Sequence, residues 1–151
     1  KMLEVIENSV SRHLSVKLRR VVGPHERMHL ERKLAFDLNY QEDRKYFSIK
    51  SKCSYFIRAK IINLENTYAL VWSRKSIGLE LVLHGVNEKH TIWKANYQTS
   101  RSNGGLPISP ISFGAAIINA GRASTDTEAF PSMIDDCFRK MLSELPDTRI
   151  Y

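Results

Sequence analysis

The chain has 151 residues, is 42% hydrophobic and carries a formal net charge of +7. That length suits one domain, residues 1–151, with enough apolar material for a core. No apolar run reaches the roughly 18 residues of a membrane-crossing helix. No secretory leader is visible, so an exported form is expected to have lost its leader.

The charge is uneven. Residues 1–60 hold 14 Lys/Arg against 7 Asp/Glu, and residues 61–151 hold 9 against 9. The basic half suits either an anionic partner or a solvated helix face, and its interleaved acids favour the second.

The first predicted element is a helix over residues 3–20, where Leu3, Ile6, Val10, Leu14 and Leu18 recur at helical spacing and Val21 follows. Gly23-Pro24 breaks it, and Pro24 suits the first turn of a second helix running to Asn39, with Met28, Leu34, Ala35 and Leu38 as candidate buried positions. Residues 40–50 are ambiguous and fit one more short helical turn followed by a loop.

A strand is predicted from Cys53 to Asn63, with Tyr55, Ile57, Ala59 and Ile61 on one face and Arg58 and Lys60 on the other. Glu65-Asn66 reads as a turn. A long second strand follows from Tyr68 to His84, bent by a bulge near Ser73-Arg74-Lys75. Ile77, Leu79, Leu81 and Leu83 give it a period of two. Val86 to Lys89 supplies a turn, and a third strand covers His90 to Ser100, completing an antiparallel meander.

Asn103-Gly104-Gly105 with Pro107 and Pro110 marks a loop, and Ser109 opens a helix of small residues over Ile111–Ala123. The last helix spans Thr127 to Leu145, with Phe130, Met133, Ile134, Cys137, Met141 and Leu145 as its stripe and Pro131 in its first turn. The order predicts an α+β two-layer sandwich: an antiparallel sheet of three or more strands with helices packed on one face.

His25-Glu26-Arg27-Met28-His29 matches the HExxH pattern, in which two histidines one helical turn apart bind zinc and the glutamate acts as general base. Pro24 starts the helix directly before His25, and no third ligand stands at a motif spacing, since position 35 is Ala35. A basic, solvent-facing first turn explains the same residues. No nucleophile elbow, P-loop or dinucleotide fingerprint occurs. No catalytic residues and no cofactor are expected.

Tyr68, Trp72, Trp93 and Tyr97 read as an aromatic cross-strand cluster. Arg58 and Lys60 share a face with Phe56 without the aromatic pattern of an RNA-recognition sheet, so nucleic acid is not the expected partner. Cys53 and Cys137 fit two buried thiols or one disulfide, and spacing leaves both readings open.

The string Cys53-Ser-Tyr-Phe-Ile-Arg-Ala-Lys-Ile, the long hairpin with Trp93 in its return strand, and the loop Gly104-Gly105-Leu106-Pro107-Ile108-Ser109-Pro110 resemble a superfamily of bacterial envelope lipoproteins. It contains the curli-secretion lipoprotein, the lipoprotein activators of penicillin-binding proteins and the amino-terminal domain of TolB. The resemblance covers residues 24–146. Two features of that superfamily, a strand before the first helix and a lipobox cysteine, are not in this chain.

The resemblance implies a periplasmic, non-enzymatic domain tethered to the outer membrane through an amino-terminal lipid. Such a domain recruits, assembles or regulates an envelope complex by protein contact, often with self-association. An anionic envelope polymer is a further expected partner. The candidate contact residues are Tyr68, Trp72, Arg74 and Lys75 on the hairpin and Asn103, Gly104, Gly105, Pro107 and Ser109 on the loop. A small zinc hydrolase using His25, Glu26 and His29, or a basic nucleic-acid-binding module, is the alternative.

Overall fold

A computed structural model describes residues 2–69, 72–86, 91–104 and 129–145. The elements are α1 (Met2–Lys17), α2 (Pro24–Leu34), α3 (Gln41–Ser51), β1 (Tyr55–Ala69), β2 (Trp72–Gly85), β3 (Thr91–Gly104) and α4 (Ala129–Leu142). The strands form an antiparallel sheet in the order β1-β2-β3. Helices α1 and α4 pair with each other, α4 against β2 and β3 and α1 against β1. This is the expected α+β two-layer arrangement.

The core follows from two periodicities meeting. On β2, Ile77, Leu79 and Leu81 point to one face and are fully buried. Above them lie Met133, Ile134, Cys137, Phe138, Met141 and Leu142 of α4, beside Ile6, Val10 and Leu14 of α1. Ile57, Ala59 and Ile61 of β1 and Trp93 and Ala95 of β3 complete the underside. Burying each large side chain stabilises the fold by about 1.5–3 kcal/mol.

Helix ends obey local chemistry. Glu4 in the first turn of α1 and Lys17 in its last complement the helix dipole. Lys17 also reaches α4, donating to the carbonyls of Ser143 (3.2 Å) and Leu145 (2.7 Å). Gly23 is extended at the N-cap of α2, with Pro24 in the first turn. Helix α2 stops at Ala35, which takes a left-handed conformation (φ 53°) and lets Phe36 donate to the Glu31 carbonyl. It therefore ends short of Asn39. No α2 residue is buried, so Met28 and Leu34 are not core positions, and Ala35 is exposed.

Residues 41–51 form a full helix, α3, closed by left-handed Lys52 (φ 57°). Phe47 is its anchor, buried against Phe56 with ring centroids 6.2 Å apart. At the same end of the sheet Val86 donates to the Ser54 carbonyl (3.1 Å).

Two sequence expectations about the sheet are corrected. Glu65-Asn66 is not a turn: Glu65 pairs with Ser76 and Asn66 with Lys75, and β1 continues until Ala69 meets Trp72. Pairing to β2 overrides the turn preference of those residues. The register through Ser73, Arg74 and Lys75 is continuous, so no bulge lies there. The irregularities fall at Ile62 in β1 and at Ile92 in β3.

The first bulge has a visible cause. Gly78 stands opposite Asn63, and a Cβ on it would lie 3.0 Å from Ile62 Cγ1 and 3.2 Å from Asn63 Cβ. Ile62 leans into the space that a side chain would fill. Gly78→Val is expected to lose about 1–3 kcal/mol through overpacking, measured as a lower midpoint of urea unfolding with an unchanged slope.

Candidate partner-contact surface

The inward row of β2 (Ser73, Lys75, Ile77, Leu79, Leu81, Leu83) shares its face with Tyr68, Asn66, Leu64, Ile61, Ala59 and Ile57 of β1. The opposite face carries Arg58 and Lys60 of β1, Arg74, Ser76, Glu80 and Val82 of β2, and Lys94, Asn96 and Gln98 of β3. It is a polar face. Lys94 pairs with Glu80 at 2.8 Å, and Asn63 and Gln98 both donate to the buried Ser76 hydroxyl.

This geometry separates the predicted contact residues. Tyr68 and Arg74 are exposed and near each other in register, because Thr67 pairs with Arg74 and Tyr68 with Ser73. Trp72 opens β2, between Ala69 and Gly104. Lys75 is not a surface contact. It is only 5% exposed, and its Nζ lies 5.7 Å from the centre of the Phe130 ring, where the ring face attracts the cation. Strand periodicity explains this: Lys75 is two residues from Ile77 and takes its face. Asn103 and Gly104 are the last residues of β3 and not loop positions, paired with Ser73 and Trp72. Gly105, Pro107, Ser109 and the small-residue helix lie outside the described residues, as does the Asn87–Lys89 part of the expected turn.

Among the described side chains of the expected aromatic cluster, Tyr68, Trp93 and Tyr97 do not come together. Tyr97 is in register with Leu79 and Ile61, Trp93 with Leu83, and Tyr68 with Ser73, so these rings lie on separate rungs of the sheet. Trp93 packs against the core instead.

Along β1, an outer strand among the described residues, four large apolar side chains stay open to solvent: Tyr55 at its start, and Ile62 (51%), Leu64 (48%) and Tyr68 (51%) farther along. Leu64 and Tyr68 lie on the helix-covered face but stay exposed. An outer strand with exposed apolar residues is a template for a further strand or a partner surface.

The HExxH residues are solvent-facing. His25 and His29 are exposed on α2, and Glu26 is ion-paired with Arg20. Among the described residues no group of three or more His, Cys, Asp or Glu converges as a metal site. The pattern occupies an exposed helix turn, and no third donor stands with it among the described residues.

The polar cluster that sequence reasoning missed joins α1 to α4. Asp135 Oδ1 accepts from Ser9 Oγ (3.0 Å), from His13 Nε2 (2.8 Å) and from the Arg12 guanidinium. Ser9, Arg12 and His13 lie at helical i, i+3 and i+4 spacing, the available signal, but nothing in the sequence names their partner. Partial burial pushes the Asp135 carboxyl up, yet the hydrogen bonds from His13, Ser9 and Arg12 outweigh it and hold it below the ordinary value of 3.8.

Both cysteines are free thiols. Cys137 Sγ faces the carbonyl of Tyr97 (3.9 Å), in the row shared by Ile61 and Leu79. Roughly 20 Å of strand separates that row from Tyr55, two residues beyond Cys53, and a disulfide needs Cα atoms within about 7 Å. The two cannot bond within one folded chain. Burial, aided by the Asp136 carboxylate, pushes the Cys137 thiol up to about 11.

Two outcomes follow. The stabilisation from Asp135 is present above its unfolded pKa and is lost as pH falls through the lowered folded value. Asp135→Asn should therefore lose about 1 kcal/mol near neutral pH, a partly exposed cluster being screened by solvent, and show a shallower loss toward acid; urea unfolding at several pH values reads both. A thiol reagent near neutral pH should modify Cys53 in the folded protein and Cys137 only after unfolding, read by mass spectrometry. Equal labelling of both in the folded state would contradict the burial of Cys137.

No family profile matches the chain, and no curated protein matches it significantly. It is similar to a solved structure described as a "putative lipoprotein" from Caulobacter crescentus CB15, at 13% identity and a TM-score of 0.41, over 93% of this chain and 92% of that one. At that level of similarity no residue role is transferred.

Proposed function

We propose that this chain is a non-catalytic domain of an envelope lipoprotein, periplasmic and held at the outer membrane by a lipid outside the sequence described, that recruits, assembles or regulates an envelope protein complex. The observation that carries the contact role is the exposed edge of β1: Leu64 and Tyr68 lie on one face of that strand, with Ile62 and the exposed cation Arg74 of β2 on the other. A partner strand or apolar ridge laid there gains backbone pairing and covers these side chains. The envelope assignment rests on the sequence resemblance of the hairpin and its Gly-Gly-x-Pro-x-Ser-Pro segment.

Photo-crosslinking in the native host tests the contact role. A photoreactive residue at position 64 or 68 should give a discrete adduct in the envelope fraction, and the same residue at exposed position 33 should give none. Leu64→Asp should abolish the adduct formed from position 68. Adducts of equal yield from all three positions would sink the reading, and an adduct with a second copy of the chain would make the contact self-association. Incorporation of labelled palmitate into the full-length product tests the anchor.

A further inference from the structure

The outer surface of α3 has no part in the contact role given to β1. Lys45 and Ile49 fall at i and i+4 on a stripe pointing away from the buried Phe47 and Ser51, and exposed Lys52, the left-handed cap, follows at the end of the helix. Exposed Tyr46 and Lys50 lie to one side of that stripe. Ile49 is 71% exposed, and Tyr46 and Tyr55 are each more than half exposed. Among the described residues Lys45, Lys50 and Lys52 have no ion-pair partner, as is also true of Arg32, Lys33, Arg58, Lys60, Arg74 and Lys140; what sets the α3 end apart is the exposed Ile49 between its lysines. The acidic residues of α3, Glu42 and Asp43, lie in its first turn, and Asp43 accepts the Asp37 N–H (2.9 Å).

Between the stripe and the start of the hairpin lies a half-open groove of about 380 Å³, lined by Lys45, Ser48, Ile49, Ser54, Tyr55 and Val86 among others. Its volume is ample for a phosphate group, and Lys45 is one of its lining residues.

From this arrangement we infer that the α3 end of the domain docks on an anionic lipid surface. Unpaired lysines supply the long-range attraction to anionic headgroups. Tyrosine favours the headgroup level, where its ring is half apolar and its hydroxyl stays wet. Ile49 decides between lipid and nucleic acid. An aliphatic side chain in the middle of the stripe partitions into the headgroup–acyl boundary, whereas it offers a base no stacking surface.

The test is co-sedimentation of the full chain with phosphatidylcholine vesicles, with and without phosphatidylglycerol, over a salt series. The chain should sediment only with the anionic vesicles, and added salt should release it. Replacing Lys45, Lys50 and Lys52 together with Gln should weaken binding about a hundredfold. Ile49→Ser should weaken it about tenfold, and Lys140→Gln, at an exposed position on α4, should leave it unchanged.

Ile49→Trp provides a second readout: its fluorescence should shift to the blue on anionic vesicles. Equal sedimentation with neutral vesicles, undiminished binding by the folded triple variant, no blue shift, or binding to DNA but not to vesicles would each overturn the inference. The crosslinking result at positions 64 and 68 is independent, so either reading can fail alone.

Discussion

The fold depends on the burial of one face of β2 beneath the α1–α4 pair. Ile77, Leu79 and Leu81 are sealed against Phe138, Met133 and Ile134, and every other element is placed relative to that contact. Because β2 is the central strand, fixing its inner face fixes the inner faces of β1 and β3 through pairing. A one-residue slip would expose all three side chains and bury Gly78, Glu80 and Val82 instead. The strength of that constraint is what allows Lys75 to be carried inside: its neighbours along the strand leave it no other face, and the Phe130 ring accepts the cation.

The same constraint explains what was legible in the sequence. The alternation over Ile77–Leu83 and the helical stripe from Met133 to Met141 are strong periodic signals, and both elements lie where those signals put them. Signals that rest on single residues fared worse. Glu65-Asn66 has turn chemistry, but both residues sit in a ladder whose register is set farther along by the core. The charge of Lys75 suggests the surface, whereas its place two residues from Ile77 puts it on the buried face. Helix α3 sends only a weak signal because its stripe is short: only Phe47 and Ser51 are buried, too few for a periodic pattern to stand out. The Asp135 cluster joins residues 122 to 126 positions apart, a pairing that no local pattern encodes.

Charge gains meaning only once partners are assigned. The excess in residues 1–60 looked uniform in the sequence, yet the structure divides it. Arg12, Arg20 and Arg27 are tied to carboxylates within or between α1, α2 and α4, where they serve helix packing. The lysines of α3 have no such ties, and they surround an exposed isoleucine. Net charge bounds the class of partner without locating it, whereas at the α3 end exposed lysines stand next to an exposed aliphatic side chain, Ile49.

Strand β1 links the two surfaces assigned here. Tyr55 lies at the α3 end and Tyr68 thirteen residues along it, a span of roughly 40 Å for extended backbone. Electrostatic influence between exposed charges fades over about 8–10 Å at physiological salt, so the lysines of α3 cannot disturb a partner seated around Leu64 and Tyr68. The rigidity of the connection comes from β2, which pairs with β1 along its length apart from the single bulge at Ile62. A domain with its cationic, aliphatic end on a lipid surface would hold the other end of β1 at a fixed height above it. The bulge then has a geometric consequence: by adding one residue to β1 it moves Leu64 to the face of Ile61, so that Leu64 and Tyr68 share a face while Ile62 and Arg74 flank them on the other. Without that extra residue Leu64 and Tyr68 would turn to the polar face beside Arg58 and Lys60, and the exposed apolar edge would lose its continuity with the core side of the sheet.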